Sequence, residues 1–131
     1  MKEEDRKKVI ALIEDEELIR DLYKRQFENA GFATVAFKCG QDALDWFEHH
    51  TADLVLLDIM LPDINGIEIL RRVKGNERTK TMRIVLLTNL GQDEIFKEAQ
   101  RLGAEGHLIK VSYTPDQIVE IVREKLSHSV N

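Results

Sequence analysis

Residues 54–70 read LVLLDIMLPDINGIEIL: four aliphatic residues, an aspartate at position 58, a loop marked by Pro62 and Gly66, and apolar residues at helical spacing from Ile67. The opening run is short and apolar at every position, the signature of a strand covered on both faces rather than one. Four comparable runs flank it, at residues 8–13, 33–37, 83–87 and 107–109. Between them apolar residues recur every three or four positions. They are Leu18, Ile19, Leu22, Tyr23 and Phe27; Ala43, Leu44 and Phe47; Ile67, Leu70 and Val73; Ile95, Phe96, Ala99 and Leu102; and Ile118, Ile121, Val122 and Leu126. Each set marks one face of a helix. Five strands alternating with five helices predict a doubly wound α/β sandwich of three layers, with a parallel sheet and right-handed crossovers. Gly31, Gly75 and Gly103 each follow a periodic segment, where a left-handed helix cap is expected. Thr114, Pro115 and Gln117 predict a capping box at the start of the last helix.

The chain has 131 residues and a mass of 15.1 kDa, which predicts one domain over 1–131 with its core at about 8–126. The one cysteine, Cys39, excludes an internal disulfide framework and any zinc site needing two thiols, and suits a reducing, cytoplasmic setting. The longest apolar run, Val9–Ile13, falls far short of the roughly 18 residues that span a bilayer, so no membrane partner is expected. Twenty-four acidic against 19 basic residues give a net charge of -5, which argues against nucleic acid as a direct partner. The basic stretch Arg71, Arg72, Lys74, Arg78, Lys80 and Arg83 lacks interleaved aromatics and reads as a solvated face. His49 and His50 sit at a helix end, Trp46 reads as packing, and the glycines form neither a phosphate-cradling loop nor a dinucleotide fingerprint.

In such folds ligands bind at the carboxyl ends of the strands. Glu14, Asp15, Glu16 and Glu17 follow the first strand, Asp58 the third, Thr88 the fourth and Lys110 the fifth. Taken singly, each has an ordinary explanation: acids favour a helix start, aspartate suits a turn, and threonine or lysine closes many strands. Their joint placement at four of five strand ends points instead to a site. Carboxylates at Glu14, Asp15 and Asp58 would repel one another unless a cation shared the site, and Mg²⁺ suits few protein oxygens and phosphate-bearing partners. Lys110 and the Thr88 hydroxyl, expected on the other side of Asp58, would serve phosphoryl oxygens. Asp58 is then a candidate covalent phosphoryl acceptor.

These residues carry a resemblance. IALIEDEE at 10–17, LVLLDIMLPDINGIEIL around Asp58, IVLLTN with Thr88 and GAEGHLIK ending in Lys110 resemble the receiver domain of the two-component response regulator family, in its single-domain, chemotaxis-regulator-like form. The resemblance implies a flavodoxin-like (βα)5 fold with strand order 2-1-3-4-5. It implies Asp58 as phosphoacceptor from the phosphohistidine of a sensor histidine kinase or phosphotransfer protein. Mg²⁺ would be held by Glu14, Asp15, Asp58 and the backbone carbonyl of Met60, with Thr88 and Lys110 on the phosphoryl oxygens. Thr88 and the residue at position 107 would be switch residues, altering the face of the fourth helix, fifth strand and fifth helix for a downstream protein or a second copy. Met60 and Leu90 occupy the positions that tune dephosphorylation; neither aligns water by hydrogen bonding, so slow hydrolysis is expected. The protein would act through partners, as a monomer or weak homodimer, and would assist its own phosphorylation without being an enzyme on a separate substrate.

Three positions depart from the family pattern. Glu14 stands where the first acid is often Asp, and its extra methylene still permits coordination, directly or through water. His107 replaces the usual Tyr or Phe, and is either a satisfied half-buried histidine or a switch residue. Val111 follows Lys110 where the family has proline with a cis bond; a non-proline cis bond costs about 3 to 4 kcal/mol, so a trans bond or local strain is expected. Two rival functions remain. A receiver-like binding module that is not phosphorylated is kept open by His107 and Val111. A Mg²⁺-dependent phosphohydrolase is disfavoured because Met60 stands where such enzymes need a second aspartate.

Overall fold

The computed structural model describes residues 6–89 and 92–128. The chain alternates β1 (Val9–Ile13), α1 (Glu17–Asn29), β2 (Ala33–Phe37), α2 (Gly40–Phe47), β3 (Leu54–Leu57), α3 (Gly66–Lys74), β4 (Arg83–Thr88), α4 (Asp93–Arg101), β5 (Gly106–Ile109) and α5 (Pro115–Leu126). All pairings are parallel and the sheet order is β2-β1-β3-β4-β5. The doubly wound fold is therefore as expected, and Leu90, at one of the tuning positions, lies outside the described residues.

Alternation along each central strand divides the core in two, because successive side chains point to opposite faces. Ala11, Ile13, Val55, Leu57, Ile84 and Leu86 pack with α2, α3 and α4. Ile10, Leu12, Leu54, Leu56, Val85 and Leu87 pack with α1 and α5 through Tyr23, Phe27, Ile118 and Val122. The expectation of strands buried on both faces holds for β3 and nearly all of β1 and β4. It does not hold for β2 and β5, which lie at the sheet edges and keep only Thr34 and Leu108 fully buried.

The caps follow local chemistry. Thr114 accepts from the Gln117 amide and Gln117 answers to the Thr114 amide, which completes the capping box beside Pro115. Gly31 and Gly103 take positive φ of 99° and 109°, as the left-handed cap requires. Gly75 does not: its φ is -85°, because the chain continues in tight turns in which Thr79 and Lys80 donate to the Asn76 carbonyl. The basic stretch is paired rather than presented. Arg71 and Arg72 bind Glu68, Lys80 binds Glu77, and Lys74 reaches the carbonyls of Lys80 and Met82. Trp46 packs against Phe37 and Phe47, and its exposed side carries the stacked ring of His50.

Candidate functional site

Parallel register brings the site together. Ile13 pairs with Leu57, so Glu14 and Asp58 emerge side by side. The ladder runs one step further, with the Asp58 amide donating to the Ile13 carbonyl at 3.1 Å and the Glu14 amide to the Phe37 carbonyl at 3.0 Å. Thr88 pairs with Ile109, which sets Lys110 at the same end of the sheet. Asp15, Asp58, Met60, Thr88 and Lys110 line one open cleft there.

Glu14, Asp58 and Lys110 are buried beside Thr88, an unusual fate for charged groups unless they are paired. Lys110 Nζ supplies the partner, donating to Asp58 Oδ2 at 2.9 Å and to Glu14 Oε1. This corrects the expected layout, in which Lys110 stood across Asp58 from the acids. The extra methylene of Glu14 carries its carboxylate to the ammonium, so Lys110 bridges the two acids. Glu14 Oε2 also accepts from the Glu16 amide at 3.0 Å.

Burial pushes the Glu14 carboxyl above its ordinary value, and the bonds from Lys110 and the Glu16 amide offset this only in part, since one ammonium serves two carboxylates. Burial would push the Lys110 ammonium down, but Asp58 and Glu14 together outweigh it and hold Lys110 above the usual lysine value. The oxygens of Glu14, Asp15 and Asp58 lie within 4.8 Å of one another. Three carboxylates against one ammonium form an oxygen-only donor set short of positive charge, which fits a hard divalent cation.

The β3–α3 loop shapes the cleft wall. The Met60 amide donates to Asp58 Oδ1 at 3.2 Å, and the Met60 side chain is exposed. Gly66 donates to the Ile59 carbonyl at 2.8 Å, an approach that leaves no room for a side chain. At the other wall, Lys110–Ser112 form a single 3₁₀ turn and no peptide bond among the described residues is cis, so the bond to Val111 is trans. Val111 uses the amide that a proline would lack: it donates to Asn89 Oδ1 at 3.0 Å. His107 is exposed rather than half-buried. It sits on an edge strand with its ring stacked on Phe96 at 3.7 Å between centroids and 10° between planes.

Sequence reasoning missed two residues here and placed a third, Asp63, in the loop motif without its contact. Arg20, one turn into α1, donates to the carbonyls of Glu14 and Asp15 and so fixes the acidic loop. Asn89 makes the contact just described. Asp63 caps α2 from the β3–α3 loop, taking the amides of Gly40 and Gln41 at 2.8 Å each. A signal for the last existed: Cys39 at the α2 N-cap offers no side-chain cap, so those amides needed an outside acceptor.

A five-stranded 2-1-3-4-5 sheet with an acidic cluster and a buried lysine at its carboxyl edge describes one class of signalling domain. Over residues 10–123 the chain matches the response regulator receiver domain family, and it belongs to that family. It is 33% identical over 117 residues to sporulation initiation phosphotransferase F of Bacillus subtilis, covering 89% of this chain and 92% of that protein. It is 27% identical over 119 residues to the polar-differentiation response regulator DivK of Brucella ovis, covering 91% and 96%. A CheY-like receiver domain protein from Methanospirillum hungatei superimposes with a TM-score of 0.86 at 25% identity, over 93% of this chain and 95% of that one.

Proposed function

We propose that the chain is a phosphoryl-accepting switch of a two-component phosphorelay, with Asp58 taking the phosphoryl group from a phosphohistidine on a sensor histidine kinase or phosphotransfer protein. The observation that carries this is the Asp58 carboxylate, 2.9 Å from Lys110 Nζ and clustered with Glu14 and Asp15 on an open cleft. In the transfer, an Asp58 oxygen bonds to phosphorus as the bond from phosphorus to the donor imidazole nitrogen breaks. The imidazole departs with that electron pair. Lys110 stays protonated and neutralises charge on the transferred oxygens, while the Thr88 hydroxyl donates to one of them. Glu14, Asp15, Asp58 and the Met60 carbonyl would hold Mg²⁺, which supplies positive charge for the phosphoryl oxygens. The relative named a phosphotransferase supports traffic of phosphoryl groups through such a site.

Phosphorylation adds roughly -1.5 to -2 charge at Asp58 and biases the β4–α4 and β5 region, with Thr88 as the group drawn to the phosphoryl oxygens. Turning His107 away would break its stack on Phe96, which makes that stack the switch element of this reading on the α4-β5-α5 face offered to a downstream protein or second copy. Apart from its own phosphorylation and dephosphorylation the domain turns over no substrate. Among the described residues no helix is long and apolar enough to cross a membrane.

The test is intact-mass spectrometry after incubation with Mg²⁺ and a small-molecule phosphodonor, beside Asp58→Asn and a magnesium-free control. The expected result is one added phosphoryl group that needs both Mg²⁺ and Asp58. No addition, together with no binding of a fluoride mimic of the phosphoryl group, would favour the unphosphorylated binding module.

A further inference from the structure

The β3–α3 loop leaves Asp58, passes Met60 and returns at Gly66, whose amide closes it onto the Ile59 carbonyl at 2.8 Å. That bond fixes the base of the loop and leaves its outer part to be held by something else. The outer part is seated on α2. Asp63 Oδ1 accepts from the Gly40 amide and from the Ile64 amide, and Oδ2 from the Gln41 amide, all at 2.8 Å. Gly40 has no Cβ to keep the loop away: one placed there would lie 3.2 Å from Ile64 Cβ and 3.4 Å from Asp63 Oδ1.

α2 is a firm anchor, because Ala43 and Phe47 bury it against the sheet. Its own N-cap residue, Cys39, makes no side-chain bond to it. Two of its unpaired N-terminal amides therefore depend on an acid about twenty residues further along the chain. A carboxylate is well matched to that place, since it can accept from several amides at once and faces the positive end of the helix.

We infer that Asp63 is a positioning residue for the divalent-cation site, holding through its cap on α2 the loop from which Met60 presents its backbone carbonyl beside Asp58. This rests on the proposed function, which places that carbonyl among the cation's ligands. Between the closed base and the capped apex, Met60 has little freedom, and its amide is already committed to Asp58 Oδ1. Without Asp63 the loop keeps its base but loses its apex, so the carbonyl and the Asp58 carboxylate must be ordered at the moment the cation binds.

The test titrates MgCl₂ into the full chain by calorimetry, for the unaltered protein, Asp63→Ala, Asp63→Asn and Thr79→Ala. Thr79 is a buried control far from the cleft, whose hydroxyl donates to the Val73 carbonyl at 2.8 Å. Asp63→Ala is expected to weaken Mg²⁺ by about tenfold, as loss of an outer-shell support does. Asp63→Asn, which keeps one acceptor oxygen for Gly40 and Ile64, retains most of the affinity. Amide hydrogen exchange at Gly40 should quicken in Asp63→Ala alone, and at Gln41, whose acceptor oxygen is lost in both, in either Asp63 variant. Unchanged Mg²⁺ affinity in Asp63→Ala, or an equal loss in Thr79→Ala, overturns the inference while leaving the proposed function standing. An unaltered protein that binds no Mg²⁺ overturns both.

Discussion

The Val111 amide donates to Asn89 Oδ1 at 3.0 Å, joining the residue that follows Thr88 to the residue that follows Lys110. The two groups assigned to the phosphoryl oxygens are thereby linked across the mouth of the cleft by a bond that a proline at 111 would abolish. Val111 is 80% exposed, so the bond contributes at most about 1 kcal/mol to stability, and its effect belongs to the site. Val111→Pro and Asn89→Ala should each change the lifetime of the phosphorylated form severalfold, and the double variant should change it no further. Additive effects in a decay measurement would show that the two residues act separately.

Among the described residues Lys110 is the one positive group bonded to both Glu14 and Asp58. Lys110→Met would leave two buried carboxylates uncompensated, at a cost of about 3 kcal/mol without metal. A divalent cation would then supply the missing charge. Urea denaturation with and without Mg²⁺ should show the variant gaining more from the metal than the unaltered protein does. Equal gains would mean that the lysine and the cation do not share the same carboxylates.

Much of this architecture could be read from residue order, because a strand covered on both faces leaves a continuous apolar run. β3 begins and ends where LVLL does. The edge strands were less legible: β5 starts at Gly106, one residue before the apolar signal, since only Leu108 within it is fully buried. That Asp58, Asp15, Thr88 and Lys110 gather in one cleft was legible, because chain position alone sets them at or beside strand ends. The Glu14–Lys110 contact was not, for it turns on the reach of one methylene rather than on spacing. Asp63 and Asn89 act on partners about twenty residues away; the missing side-chain cap at Cys39 shows that α2 needs an acceptor, but nothing local names the residue that supplies it.

Arg83 grips Glu105 with two bonds, Nε to Oε2 at 2.8 Å and Nη2 to Oε1 at 2.6 Å. Those bonds hold the Glu105 carboxyl below its ordinary value of 4.5 against the opposing pull of burial, with Lys125 and Lys74 adding to the effect. A depressed carboxyl takes up its proton less readily folded than unfolded, so its contribution is complete above 4.5 and is lost as pH falls through the lower folded value. Denaturation near neutral pH should find Glu105→Gln less stable by about 1 kcal/mol. That difference should shrink steadily in acid below 4.5; a gap that persists there would assign the effect to packing instead.

Two glycines near the cleft make opposite demands on an added methyl group. A Cβ on Gly66 would lie 2.3 Å from the Asp58 carbonyl oxygen and 2.7 Å from Ile59 Cα, both backbone atoms that cannot swing aside. A Cβ on Gly40 would meet Ile69 Cδ1 at 2.6 Å, the far end of a buried side chain, and Ile64 Cβ at 3.2 Å, so side-chain atoms must shift but no backbone atom blocks it. Gly66→Ala should therefore cost about 3 kcal/mol or more, the upper range for overpacking, and Gly40→Ala about 1 kcal/mol. Because the Gly66 clash falls on Asp58 itself, the variant should also lose phosphoryl acceptance under conditions where circular dichroism shows it folded. Gly40→Ala should keep it. Equal costs in denaturation would mean that the loop yields as easily as a side chain, and the rigidity assigned to residues 58–66 would have to be abandoned.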